Sequence, residues 1–168
     1  VSSVRDAKRV APGTEAASAT QAPIRIGVST CLLGEHVRFD GGHKRDAFLV
    51  ETFGRYVEWV PVCPEVEAGL GVPRESMHLR RFEAQVRLVT TKTGIDHTKI
   101  MRRYAARRVA ALAAHDLCGY VLKKNSPSCG MERVKIYGHS GPVASGRGLF
   151  AESRYRPSRT CRRRKRAA

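Results

Sequence analysis

A chain of 168 residues has room for one domain with a real core, or for a smaller domain with loose ends. No apolar run approaches the roughly 18–20 residues that span a bilayer, and the N-terminal residues hold no apolar signal region. A membrane span and secretion are therefore not expected. The formal charge of +16 points to an anionic partner such as a nucleotide or RNA phosphate. Much of it is local, because residues 152–168 carry eight Lys/Arg and one acid. Residues 24–151 still hold 20 basic and 12 acidic groups. Five cysteines without a signal sequence are expected to be reduced thiols in a cytoplasmic setting. In that setting clustered thiols serve metals or catalysis more often than disulfides.

Residues 1–23 are rich in Ala, Ser, Thr and Pro without apolar periodicity, and read as a disordered leader. Folding is expected from residue 24. IRIGVS (24–29) is a short β-branched run suited to a buried parallel strand, and it ends just before Cys31. Residues 43–53 are expected to form a helix, with Phe48, Leu49 and Phe53 on one face and Gly54 as its stop. YVEWVPV (56–62) reads as a second strand, followed at once by Cys63. The Pro- and Gly-rich PEVEAGLGVPRES is a loop, and residues 86–90 read as a short strand. The longest helix is expected at 98–115, with Ile100, Tyr104, Ala105, Val109, Leu112 and Ala113 inward. Arg102, Arg103, Arg107 and Arg108 form its solvated face. GYVLK (119–123) is a third strand whose following loop carries Cys129. Residues 133–137 and the Gly-rich stretch to Phe150 are expected to close the sheet, and 152–168 form a basic, disordered tail.

Strand–helix–strand units imply an α/β fold, with a mostly parallel sheet between helices and ligands at the C-terminal strand ends. Cys31, Cys63 and Cys129 each follow a strand end, although 32 and 66 residues separate them. Neighbouring strands would bring the three thiols together. Structural zinc wants four ligands, usually from paired C-x-x-C spacings, and no such pair occurs. Three thiolates can instead hold a [4Fe-4S] cubane with one iron open to substrate. Partly buried free thiols, or zinc completed by His43 or Cys118, are the alternatives. Cys118 itself reads as a core thiol.

Glu65, two residues after Cys63 and beyond Pro64, reads either as a general base facing an apolar cleft or as a solvated loop acid or helix N-terminal carboxylate. Ser126 and Ser128 flank Pro127; their hydroxyls either meet a substrate or cap a turn at Cys129. Arg38, Asp40, Lys44, Arg74 and Lys123 fall near the same mouth and suit either a phosphate or base edge or, taken singly, surface salt bridges. The RRRKR run at 162–166 has the composition of a nucleic-acid-binding tail.

Three blocks, VSTCLLGEHVRFDGGHKRD, VPVCPEVEAGLGVPRES and LKKNSPSCGMERVKIY, resemble the signature blocks of the thiouracil desulfidase (TudS-like) family. The resemblance spans roughly residues 24–150 and keeps the order of the blocks. It implies a Rossmann-like three-layer domain and a [4Fe-4S] cluster on Cys31, Cys63 and Cys129. It also implies a catalytic pair, Glu65 and Ser126. Ser29, Arg38, Asp40, Lys123 and Ser128 are the expected contacts to a thiolated pyrimidine base or nucleotide. The wording DGGHKRD and VPRESM is most like the version fused to a second C-terminal domain. After residues 148–151 its expected continuation gives way to the Arg-rich end, as a truncation or frame change would produce. A non-catalytic RNA-binding module and an accessory metal-binding domain are the alternative functions; oligomeric state is left open.

Overall fold

The computed structural model describes residues 23–155. The leader before that point lies outside the described residues, as do Cys161 and the 162–166 run. The chain folds as an α/β domain with two sheets. The first sheet is parallel, in the order β2 (Glu58–Val62), β1 (Arg25–Ser29), β5 (Gly119–Val121). β1 is central, pairing Ser29 with Val62 on one side and Val28 with Val121 on the other. Val28 and Val62 are fully buried, as the apolar runs predict for strands covered on both faces.

The second sheet runs β4 (Gln85–Thr90), β3 (Met77–Phe82), β6 (Val134–Tyr137), β7 (Pro142–Gly146). This corrects the expectation that the last strands close the first sheet: β6 pairs in parallel with β3 instead. β3 is absent from the sequence reading because MHLRRF buries only Leu79 fully and shows little alternation. Its hairpin to β4 turns through Glu83 at φ +51°, with none of the Asn-Gly or Asp-Gly signals of such turns.

The helix expected at 43–53 starts late. The Asp46 carboxylate accepts the Leu49 N–H (3.1 Å) and so acts as a start signal. The N–H groups of Lys44 and Asp46 are spent on the carbonyls of Cys31 and Leu32. The result is a short irregular helix, Phe48–Thr52, continued by a 3-10 turn, Phe53–Arg55. Leu49 is buried, whereas Phe48 is exposed. Pro64–Glu67 forms α1, one helical turn inside the expected loop. α2 (Thr98–Ala113) matches the long helix, with Met101 rather than Ile100 turned inward beside Tyr104, Ala105 and Leu112. Arg108 leaves the expected arginine stripe to pair with Glu67 (3.1 Å). α3 (Leu149–Tyr155) packs on α2 and continues past the expected boundary at residue 151. Leu149, Phe150 and Ala151 are buried in the core. Among the described residues, no helix is long and apolar enough to cross a membrane.

The start of α3 braces the turn that carries Cys129. The N–H of Gly148 donates to Gly130 O (2.8 Å), that of Leu149 to Pro127 O (3.1 Å), and that of Phe150 to Ser128 O (3.0 Å). This contact leaves no room for a side chain at residue 148, whose added Cβ would strike the Ser128 carbonyl. Gly148→Ala is expected to destabilise the protein by about 1–3 kcal/mol, as overpacking does elsewhere. Thermal unfolding reads this directly, and an unchanged Tm would count against the bracing role.

Candidate active site

The C-terminal ends of the parallel strands open onto one cavity of about 200 Å³. Cys31, Cys63 and Cys129 all line it, as do Glu65, Ser126, Ser29, Arg38 and Lys123. Each thiol reaches it by a different device. Cys31 sits in a 3-10 turn, Thr30–Leu33, that ends at Gly34 with φ +101°, a left-handed conformation that suits glycine. Cys63 lies between β2 and α1; its backbone N–H donates to Glu67 Oε1 (2.9 Å) and its thiol contacts Val37 O (3.8 Å). Cys129 is held in the turn after β5, where Gly130 lets the backbone close because a Cβ there would meet Ser126 O at 2.7 Å.

All three thiols are free. Burial raises the pKa of each above the ordinary cysteine value, most for Cys129, where the Glu65 charge adds to it. Cys63 raises that of Cys31 further, while the N–H of Val66 partly offsets the burial of Cys63. Three neutral sulfurs crowded around one space can shed protons when a positively charged centre takes up the thiolates. Among the described residues, no group of three or more His, Cys, Asp or Glu is arranged for a single metal ion. A cubane presents a different demand, since each thiolate ligates its own iron. The soft all-sulfur donor set fits such a cluster. The zinc alternative lacks its fourth donor at the cavity. His43 is exposed and off its wall. Cys118 is exposed, which corrects its reading as a core thiol, and its N–H bonds Arg25 O at the opposite end of the sheet.

Glu65 does not stand alone on an apolar wall. Arg74 donates to its Oε2 from Nε (2.9 Å) and again from Nη2, and Ser128 Oγ donates to its Oε1 (2.9 Å). Ser128 is fully buried and lies behind the carboxylate, not on the cavity wall, so its expected substrate contact is replaced by support of Glu65. Ser126 lines the cavity while its Oγ accepts the N–H groups of Ser128 (3.2 Å) and Cys129 (3.0 Å). The hydroxyl proton is left to donate into the cavity. Both readings of this serine, substrate contact and turn cap, are thus compatible.

Arg38 lines the cavity and is held by a forked pair to Asp40, Nε to Oδ1 at 3.1 Å and Nη2 to Oδ2 at 2.9 Å. Asp40 is itself outside the wall, and the Arg38 bond holds its carboxyl well below the usual range. Ser29 is buried beside Cys129 and accepts the Lys123 N–H (3.0 Å), tying β1 to the end of β5. Lys123 lines both this cavity and a neighbouring cleft, its Nζ donates to Lys124 O (2.6 Å), and burial lowers its pKa. Lys44 belongs to a separate cleft with Phe48 and Lys124. Phe39 and Asn125 also line the cavity without having been singled out. Each lies within a few residues of Arg38 or Ser126, and that proximity was the available signal.

Three cysteines, a carboxylate and a serine around one cavity at the strand ends define an α/β protein with a thiol-lined, enzyme-like site. The chain belongs to the 2-thiouracil desulfurase family, whose sequence profile matches residues 26–158. It is 30% identical over 129 residues to the uncharacterized protein YbbK of Bacillus subtilis (strain 168), covering 74% of this chain and 85% of the relative. Among solved structures it is similar to the [4Fe-4S]-dependent thiouracil desulfidase TudS. That match has 32% identity and a TM-score of 0.60, over 77% of this chain and 82% of the other.

The thiols make a first test available without any activity assay. In metal-free protein at pH 8, of the four cysteines among the described residues, exposed Cys118 is expected to alkylate first and Cys129 last. The raised pKa of Cys129 leaves little thiolate there, and its burial keeps the reagent out. Time-resolved peptide mass spectrometry checks the order. Equal rates at Cys118 and Cys129 would mean that the cavity opens freely.

Proposed function

We propose that this protein hydrolytically removes sulfur from a thiolated pyrimidine, thiouracil or a thiouridine nucleotide, putting oxygen in its place. The observation that carries the reading is the convergence of three free thiols, from three separate strand ends, on a cavity walled by Glu65 and Ser126. The named activity of the structural relative TudS supports it. Cys31, Cys63 and Cys129 would hold a [4Fe-4S] cluster. When bound, such a cluster supplies a Lewis-acidic iron with an open position, able to polarise a thiocarbonyl.

The chain's own groups account for positioning and proton movement. Glu65 Oε1 carries one donor, Ser128, and keeps a lone pair for the proton of an attacking water. Ser126, with backbone N–H groups on its oxygen, donates its proton to the substrate. Arg38, held by its fork to Asp40, presents its remaining N–H groups to a carbonyl or phosphate oxygen. Lys123 adds a positive charge on the same wall. The atoms balance as C=S plus water to C=O plus hydrogen sulfide, with no net oxidation or reduction.

Protein loaded without oxygen is expected to be brown, with about four irons and four sulfides per chain. Single Ser replacements of Cys31, Cys63 or Cys129 are expected to lower that content sharply. A colourless, iron-free protein after anaerobic reconstitution would sink the proposal. Glu65→Gln is expected to lose about 10²–10⁴-fold in turnover of 2-thiouracil with its cluster absorbance intact, the ordinary weight of a general base. Full turnover in that variant would remove Glu65 from the chemistry.

A further inference from the structure

Arg74 lines the cavity, yet its guanidinium has almost nothing left to offer a ligand. Nε and Nη2 both donate to Glu65 Oε2, Nη2 also to Val37 O (3.1 Å), and Nη1 to Gly71 O (2.8 Å). Its backbone N–H donates to Phe39 O (2.9 Å). The side chains of Arg74 and Glu65 are only 8% and 14% exposed. A buried guanidinium that spends four contacts on protein acceptors is not a substrate cation.

The pattern of those contacts is directional. Two of the donors converge on one oxygen of Glu65, so the carboxylate cannot spin about its terminal bond. Oε2 is filled and Oε1 is the oxygen left for chemistry, with Ser128 Oγ fixing it from behind. The other donors lock the loop after Cys31, through Val37 and Phe39, to the loop after Cys63, through Gly71. Val37 O also receives the Cys63 thiol. One residue therefore sets both which oxygen of Glu65 works and where that oxygen stands relative to the thiols.

We propose that Arg74 is the positioning residue of the reaction, acting through Glu65 and not on the substrate. This inference rests on the reading of Glu65 given above. Lysine at this position keeps the charge but not the fork, so it cannot hold Oε2 from two nitrogens while also reaching Val37 and Gly71. A displacement of about 1 Å in a reacting group can cost about 100-fold in rate.

The test compares Arg74→Lys and Arg74→Gln with the unmodified protein, each anaerobically loaded and assayed on 2-thiouracil. Turnover is expressed per loaded cluster, with Tm recorded. Arg74→Lys is expected to keep its iron content, to lower Tm modestly through the lost Val37 and Gly71 contacts, to hold KM within about twofold, and to lose roughly 10- to 100-fold in kcat per cluster. Arg74→Gln leaves a buried carboxylate without its partner, so the lysine variant decides the matter if the glutamine one fails to fold. A raised KM at unchanged kcat would overturn the proposal by making Arg74 a substrate contact. An unchanged kcat per cluster would overturn it by making Arg74 a structural brace alone. Glu65→Gln run in parallel separates the two readings. Full turnover in that variant brings down the role of Glu65 and this inference together. An inert Glu65→Gln beside a normal Arg74→Lys brings down only this one.

Discussion

The site depends on the parallel pairing of β1 with a neighbour on each side. Parallel strands end at the same edge, so the pairing of Ser29 with Val62 and of Val28 with Val121 forces three chain segments to leave the sheet side by side. Cys31 and Cys63 follow within two residues of that edge, and Ser29 receives the Lys123 N–H to hold the third segment against the first. An antiparallel partner at either position would send one of these segments to the far end. Cys118 shows what that end is like: it precedes β5, lies beside Arg25 and is exposed to solvent.

Strand ends alone bring cysteines close; they do not aim them. The second layer of order comes from polar side chains spent on backbone and on one another. Arg74 joins two loops and Glu65, Glu67 caps the N–H of Cys63, and Ser126 gathers the N–H groups of Ser128 and Cys129. Asp40 does the same for the Arg38 guanidinium. Buried or half-buried polar groups are costly without partners, so this economy also accounts for the stability of irregular backbone around the cavity. The core answers it from below: α3 supplies its first N–H groups to the Cys129 turn while burying Phe150 and Leu149 among Tyr104 and Leu112.

The large positive charge has less to do with this arrangement than its size suggests. Of the arginines expected on the solvated face of α2, Arg102 donates to Val86 O (3.3 Å) and Arg108 pairs with Glu67. At the cavity, Arg74 is spent on the protein, and Arg38 is shared with Asp40. Counting cations does not reveal which of them still have donors to give.

The sequence by itself determined the parallel strands, the long helix and the identity of the three cavity thiols. Those follow from local facts, namely β-branched apolar runs, a 3.6-residue period, and a cysteine just past each of two strand ends with a third in the loop that follows the last parallel strand. It also held Glu65 and Ser126, because each lies within a few residues of a cysteine it serves. Only the tertiary structure decided what those groups touch. The Arg74–Glu65 pair spans nine residues and the Ser128–Glu65 bond 63, and no periodicity encodes either. The pairing of the second sheet was hidden for the same reason. β3 carries too few buried residues to announce itself and exists because β4 and β6 supply its hydrogen bonds. Local pattern fixes where the chain can be regular; which distant donor meets which acceptor is settled only when the packed core brings them within reach.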